Sequence, residues 1–150
     1  MKRILFSACF MLLVTVGAAF AAGPGQAQFD KWAKGVKISG YSYGGVEQTD
    51  PGVFMAGWMS PKGEVLGVHL NKISSFKSFQ QVVNRKKPEA FTYKGAPALF
   101  SDATGFGLIA IKYEKSGKVL TISQMGETRG LSKAELIKLL DVMKPERLLN

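Results

Sequence analysis

One histidine, His69, and one cysteine, Cys9, are the chain's whole supply of imidazole and thiol. A serine nucleophile needs a base beside it, and only His69 can serve as a conventional one. No Gly-x-Ser-x-Gly elbow occurs in the sequence. A typical zinc site takes several His or Cys ligands, more than this composition offers. Asp, Glu and Asn do not fall at calcium-loop spacing. Gly105-Phe106-Gly107 stops short of Gly-x-Gly-x-x-Gly and runs into an apolar strand pattern, so it reads as a turn and not a phosphate cradle. A carboxylate pair assembled by folding, for instance from Glu47, Asp50 and Asp102, is the one hydrolytic arrangement left open. The leading expectation is a non-catalytic protein with no cofactor and no metal. A carboxylate-dependent hydrolase is the enzymatic alternative.

Binding chemistry is better supplied. Tyr41, Tyr43, Phe54, Trp58, Phe100 and Phe106 exceed what a small core obviously needs. Either they are that core, or some of them line a cleft for an apolar or amphiphilic ligand. Arg85, Lys86 and Lys87 form a basic trio, readable as charge complementing a helix C-terminus or as a site for an anionic head. The speculative ligand set is thus Tyr41, Tyr43, Trp58, Phe100 and Phe106 with Arg85, Lys86 and Lys87. The formal charge of +9 eases approach to anionic lipid heads, envelope polysaccharide or an acidic protein face. Surplus lysine is also what a plainly soluble surface looks like.

Residues 1–21 read as a signal peptide. Lys2 and Arg3 are a basic start, Ile4–Val16 is nearly all apolar, and Ala19-Phe20-Ala21 has the small-x-small cleavage pattern. The apolar run is too short to span a bilayer. Phe6-Ser7-Ala8-Cys9 only faintly matches a lipidation box, because too little apolar chain precedes Cys9, which reads as an ordinary residue of the run. Cleavage after Ala21 leaves a single domain, 22–150, with no cysteine. Disulfides and thiol chemistry are then excluded, and an apolar core must hold the fold. The expected location is periplasmic or secreted, which removes nucleic acid as a partner and leaves no stable membrane span.

The elements that must position these residues follow from periodicity. Phe29, Trp32, Ala33 and Val36 form a helical stripe ending near Gly35. Lys37–Tyr43 alternates as a first strand, and Gly44-Gly45 with Asp50-Pro51-Gly52 bracket a loop. Val53–Met59 and Val65–Leu70 form a hairpin about the turn Ser60-Pro61-Lys62-Gly63, with Leu66, Val68 and Leu70 on one face and His69 on the other, facing outward. A helix capped by Ser74 or Ser75 carries Phe76, Phe79, Val82 and Val83 and ends at the basic trio and Pro88. The second half has a strand at Phe91–Tyr93 or Ala98–Phe100, then Leu108–Tyr113 and Val119–Met125 about Ser116-Gly117. Leu131, Ser132, Glu135 and Leu136 match a capping box with a hydrophobic staple for a helix at Lys133–Met143, ended by Lys144-Pro145. The predicted core is Phe29, Trp32, Phe54, Trp58, Leu66, Val68, Phe79, Val83, Ile109, Ile111, Leu120, Ile122, Leu136, Ile137 and Leu140.

Shifting Val53–Leu66 by 54 residues places Ala56, Gly63, Val65 and Leu66 on Ala110, Gly117, Val119 and Leu120. The fold class expected is α+β, an antiparallel sheet covered by amphipathic helices, in two β-β-β-α units if the halves are related. Tyr93–Phe100 followed by Leu108–Tyr113, Val119–Met125 and Leu131–Leu140 resembles small exported domains of bacterial envelope proteins, of the lipoprotein-sorting and anti-sigma regulatory kind. The resemblance covers the last third of the chain and implies an α+β envelope domain. The expected partner, from charge and aromatic content, is another envelope protein or an anionic or amphiphilic ligand.

Overall fold

Seven strands form one antiparallel sheet in this computed structural model, which describes residues 23–125 and 130–150. Residues 1–21, expected above to be a signal peptide, lie outside the described residues, and Cys9 with them. The elements are α1 (Gln26–Gly35), β1 (Ser42–Asp50), β2 (Val53–Met59), β3 (Val65–Lys72), a 3-10 turn (Ile73–Ser75), α2 (Phe76–Phe79), β4 (Glu89–Tyr93), β5 (Ala96–Ser101), β6 (Leu108–Tyr113), β7 (Lys118–Met125), α3 (Lys133–Met143) and α4 (Glu146–Leu149). The sheet order is β1-β2-β3-β7-β6-β5-β4. Two meanders therefore meet at a central seam, where β3 pairs with β7 from Val65 opposite Met125 to Lys72 opposite Lys118. The chain is an α+β protein.

Side-chain alternation puts two apolar rows on one face. Phe54, Leu70, Leu120, Ile111, Ala98 and Phe91 lie in register across six strands, and Ala56, Val68, Ile122, Ile109 and Phe100 across five. These rows share one core cluster with Phe29 and Ala33 of α1 and with Leu136, Leu140 and Met143 of α3. A smaller cluster on the opposite face joins Phe76 to Leu99, Ala110 and Val119, with Phe79 and Leu108 packed against it.

Helix α3 starts with a full capping box, while α1, with Gly25 at its N-cap, has only the returning half, Gln28 Oε1 accepting from the Gly25 amide at 3.2 Å. Ser132 Oγ accepts from the Glu135 amide at 3.3 Å, while Glu135 Oε2 accepts from the Ser132 amide at 2.8 Å. Lys144, at φ 51°, ends α3 in the left-handed conformation, and Trp32 Nε1 donates to the Met143 carbonyl at 3.1 Å. That bond ties α1 to a helix-end carbonyl that otherwise lacks a donor.

Three expectations are corrected. The first strand is Ser42–Asp50 and not Lys37–Tyr43. Gly44 and Gly45 do not open a loop, because the register with β2 slips between Tyr43 and Gly45. Gly45 adopts φ +123° there, so the pair makes a β-bulge that the strand passes through. The second helix is a single turn, and Ser75 makes no side-chain cap bond to it. Val82 and Val83 lie beyond its end and are 60% and 42% exposed, so Val83 leaves the core list. Branched side chains at consecutive positions oppose helix continuation. The basic trio accordingly begins within a tight turn, Arg85 inside it and Lys86 closing it, and stands at no helix end. The open choice between Phe91–Tyr93 and Ala98–Phe100 resolves to both, as β4 and β5.

The turn lies just before Gly105-Phe106-Gly107, over residues 102–105, closed by the Gly105 amide on the Asp102 carbonyl at 3.0 Å, with Gly105 at φ +81° as its last residue. Gly107 serves space and not conformation, since a Cβ there would overlap the Leu131 carbonyl.

Candidate functional site

The aromatic residues do not converge on one cleft. Trp58 is 1% exposed and stands edge-on to Trp32 at 6.5 Å and against Tyr43 at 5.7 Å. Phe29 continues the chain, stacked on Trp32 at 5.5 Å and tilted against Phe54 at 6.2 Å. This row of rings is core joining α1 to the sheet. Phe100 is half-buried against the same core. Phe106 is 40% exposed and lies away from it, on the β5–β6 loop.

The tyrosine hydroxyls at the α1 end are occupied. Tyr43 donates to Asp30 Oδ1 at 2.7 Å, and Lys34 holds Asp30 Oδ2 at 2.6 Å. Lys34 and then Tyr43 lower the Asp30 pKa against a small opposing effect of burial. Buried Gln124 donates to the Tyr41 hydroxyl at 3.0 Å, and Tyr41 donates weakly to Glu64 Oε2 at 3.4 Å. Burial first, then the acidic neighbour, raises the pKa of both tyrosines. Near α4, burial pushes Tyr93 up to about 12, with its donation to Asp141 at 3.0 Å adding to the rise. Tyr113 is raised by burial, then by Tyr93 and Glu146. All four phenols are therefore neutral at physiological pH, with no tyrosinate base among them. Tyr41, Tyr43 and Tyr93 are hydrogen-bonded through their hydroxyls, whereas the buried Tyr113 hydroxyl has no protein partner among the described residues.

His69 sits half-buried on the face away from the main core, between Met55 and Thr121 in the sheet register. Burial lowers its pKa while the Glu47 carboxylate opposes that shift. The expected outward placement holds for the face, though the imidazole is only partly solvated. No serine hydroxyl is hydrogen-bonded to it among the described residues. Glu47 and Asp50 lie on edge strand β1, whereas Asp102 follows β5 and pairs with Lys86 at 3.2 Å. Five strand spacings, roughly 24 Å, separate β1 from β5. Among the described residues no group of three His, Cys, Asp or Glu could hold a metal ion.

Several surfaces of the described residues combine apolar side chains with cations, and two of them bear on binding. The first is a groove of about 400 Å³ between α1 and the α3–α4 corner, with Trp32, Val36, Met143 and Leu148 as its apolar lining. Lys31, Lys144 and Arg147 also line it, and none of the three forms an ion pair among the described residues. Sequence reasoning missed this groove. Its signals were Lys31 beside the helical stripe and Lys144 beside the helix stop, both dispersed in sequence and joined only by the packing of α1 on α3.

The second surface is the tip made by the α2–β4 and β5–β6 loops. Val83 and Lys86 bond to each other through both backbone groups, at 3.1 and 2.9 Å, enclosing Asn84 and Arg85 at φ 50° and 63°. Positive φ at both central residues defines a type I′ turn. Asn84 Nδ2 donates to the Ala103 carbonyl at 2.9 Å, and the Lys86–Asp102 pair adds a second link between the loops. A cleft of about 160 Å³ there is lined by Phe79, Val83, Pro88, Phe106 and Leu108, among others. Of the speculative ligand set, the fold brings together Phe106 with Arg85, Lys86 and Lys87, and separates them from Tyr41, Tyr43, Trp58 and Phe100.

The fold and these surfaces define a seven-stranded antiparallel α+β protein that carries cationic-apolar surfaces among its described residues. Compared with protein-family models, curated proteins and solved structures, the chain has no match in any of the three.

Proposed function

We propose that the chain is an exported, non-catalytic binding domain of the bacterial envelope that takes an anionic amphiphile in the groove between α1 and the α3–α4 corner. The observation that carries this reading is the groove's lining, four apolar side chains beside three cations without acidic partners among the described residues. Apolar burial supplies most of the affinity, at roughly 25 cal/mol per Å² before the costs of binding. The exposed cations chiefly speed association and make it salt-sensitive. The wide separation of Glu47 from Asp102 and the lack of a tyrosinate base favour binding over hydrolysis. Helices α1 and α3 closing one sheet face, and two related halves meeting at the β3–β7 seam, complete this reading of the architecture.

Native mass spectrometry of protein recovered from periplasmic extract tests it without a guess about the ligand. A co-purifying acidic lipid or fatty acid, lost on Lys31→Glu with Arg147→Glu, is the expected result. A clean apo mass, with no thermal shift from fatty acids or phospholipids, would leave a protein-interaction domain as the better description.

A further inference from the structure

The described residues leave six large apolar side chains exposed, and Val82, Val83 and Phe106 are half of them. All three belong to the two loops of the tip, so the exposure is concentrated on one short stretch of surface. Isolated exposed apolar residues are ordinary, but gathered ones mark contact with an apolar phase or partner. Arg85 and Lys87 lie on the same loop as Val82 and Val83, exposed and without an ion pair among the described residues. The turn that displays them is held in a costly conformation. A type I′ turn prefers Asn-Gly, and this one is Asn84-Arg85, with arginine at φ 63°. The links from Asn84 to Ala103 and from Lys86 to Asp102 hold the strained turn against the loop that bears Phe106. An outlier held by surrounding bonds, with cations and apolar groups side by side, suggests a function for the strain.

We propose that this tip is a membrane-docking device. Val82, Val83 and Phe106 enter the headgroup–acyl boundary of an anionic phospholipid bilayer, and Arg85 and Lys87 meet its phosphates. The pairing of shallow apolar insertion with neighbouring cations is the chemistry that holds peripheral proteins to such surfaces. Charge complementarity selects the anionic bilayer over a zwitterionic one. The inference rests on the export reading, since export brings the tip to an envelope bilayer, but it involves a different surface from the amphiphile groove.

The test is co-sedimentation of the processed protein with phosphatidylglycerol-containing vesicles and with purely phosphatidylcholine vesicles. Binding is expected to the first at low salt and to fall steeply as salt is raised. Val82→Asp with Phe106→Ser should weaken it by roughly tenfold or more, as should Arg85→Gln with Lys87→Gln at about fivefold per cation. Arg85, Lys87 and Val82 are exposed whereas Phe106 is partly covered in its cleft. The cation variant and Val82→Asp alone should therefore keep the wild-type melting temperature and still bind less, which separates lost docking from lost fold. No vesicle binding at low salt, equal binding to both vesicle types, or variants that bind like wild type would each overturn the proposal. Intact mass reports export separately. A correctly processed protein that ignores vesicles sinks the docking tip alone, and one that retains residues 1–21 sinks the export reading.

Discussion

Arg85 occupies a backbone position that glycine fills with less strain. Arg85→Gly should therefore stabilise the fold, by about 0.5–1 kcal/mol in urea unfolding, while weakening vesicle binding. Lower stability would show that the arginine side chain has a structural partner after all. His69 makes a pH prediction. Burial holds its folded pKa below the ordinary 6.5 despite Glu47, so just below that pH the unfolded chain binds more protons than the native one. Its stabilising contribution is complete above pH 6.5 and is lost as pH falls. The melting temperature should drop between pH 7.5 and 5.5, and His69→Gln should flatten that drop. Identical profiles would mean that the imidazole is effectively solvated. Neither effect was readable from the sequence, which shows an arginine and a histidine but not the φ angle of one or the burial of the other.

At the scale of elements, α3 carries the sharpest expectation. Leu136 is fully buried in the main core, so Leu136→Ala should cost about 2–5 kcal/mol as a cavity mutation. Ser132→Ala should cost about 1 kcal/mol through the lost cap. Urea unfolding of the two variants checks the order, and a reversal would mean that α3 is held by its start and not its face. This helix was legible because its signals are local, a capping box and an i, i+3, i+4 stripe within a few residues of one another. The β2–β3 hairpin was legible for the same reason, with Pro61 and Gly63 in its turn. The strand β1 was misplaced because Gly44-Gly45 has the same appearance in a bulge as in a loop. Only pairing with β2 distinguishes them. The second helix was overextended because Val82 and Val83 continue a helical stripe on paper, while the chain instead turns at Asn84-Arg85. The eight candidate ligand residues divided for a related reason. Tyr43 and Trp58 are drawn into the core by α1, an element far from either loop that carries Phe106 and Arg85.

For the whole molecule, processing after Ala21 should give a periplasmic species beginning at Ala22, read directly by intact mass. A product that keeps Cys9, or that carries lipid, would overturn that placement. The β3–β7 seam governs the molecule in another way, through time. Each meander is built from neighbouring strands and closes short loops, whereas the seam brings Val68 against Ile122 across the intervening chain. Loop-closure entropy makes that pairing the expensive step. The two halves can sample their hairpins early, but neither buries its share of the common core until the seam zips. Folding speed should thus depend on seam contacts more than on the outer strands. Val68→Ala and Ile122→Ala would slow refolding, while truncations at the β1 edge would mainly hasten unfolding.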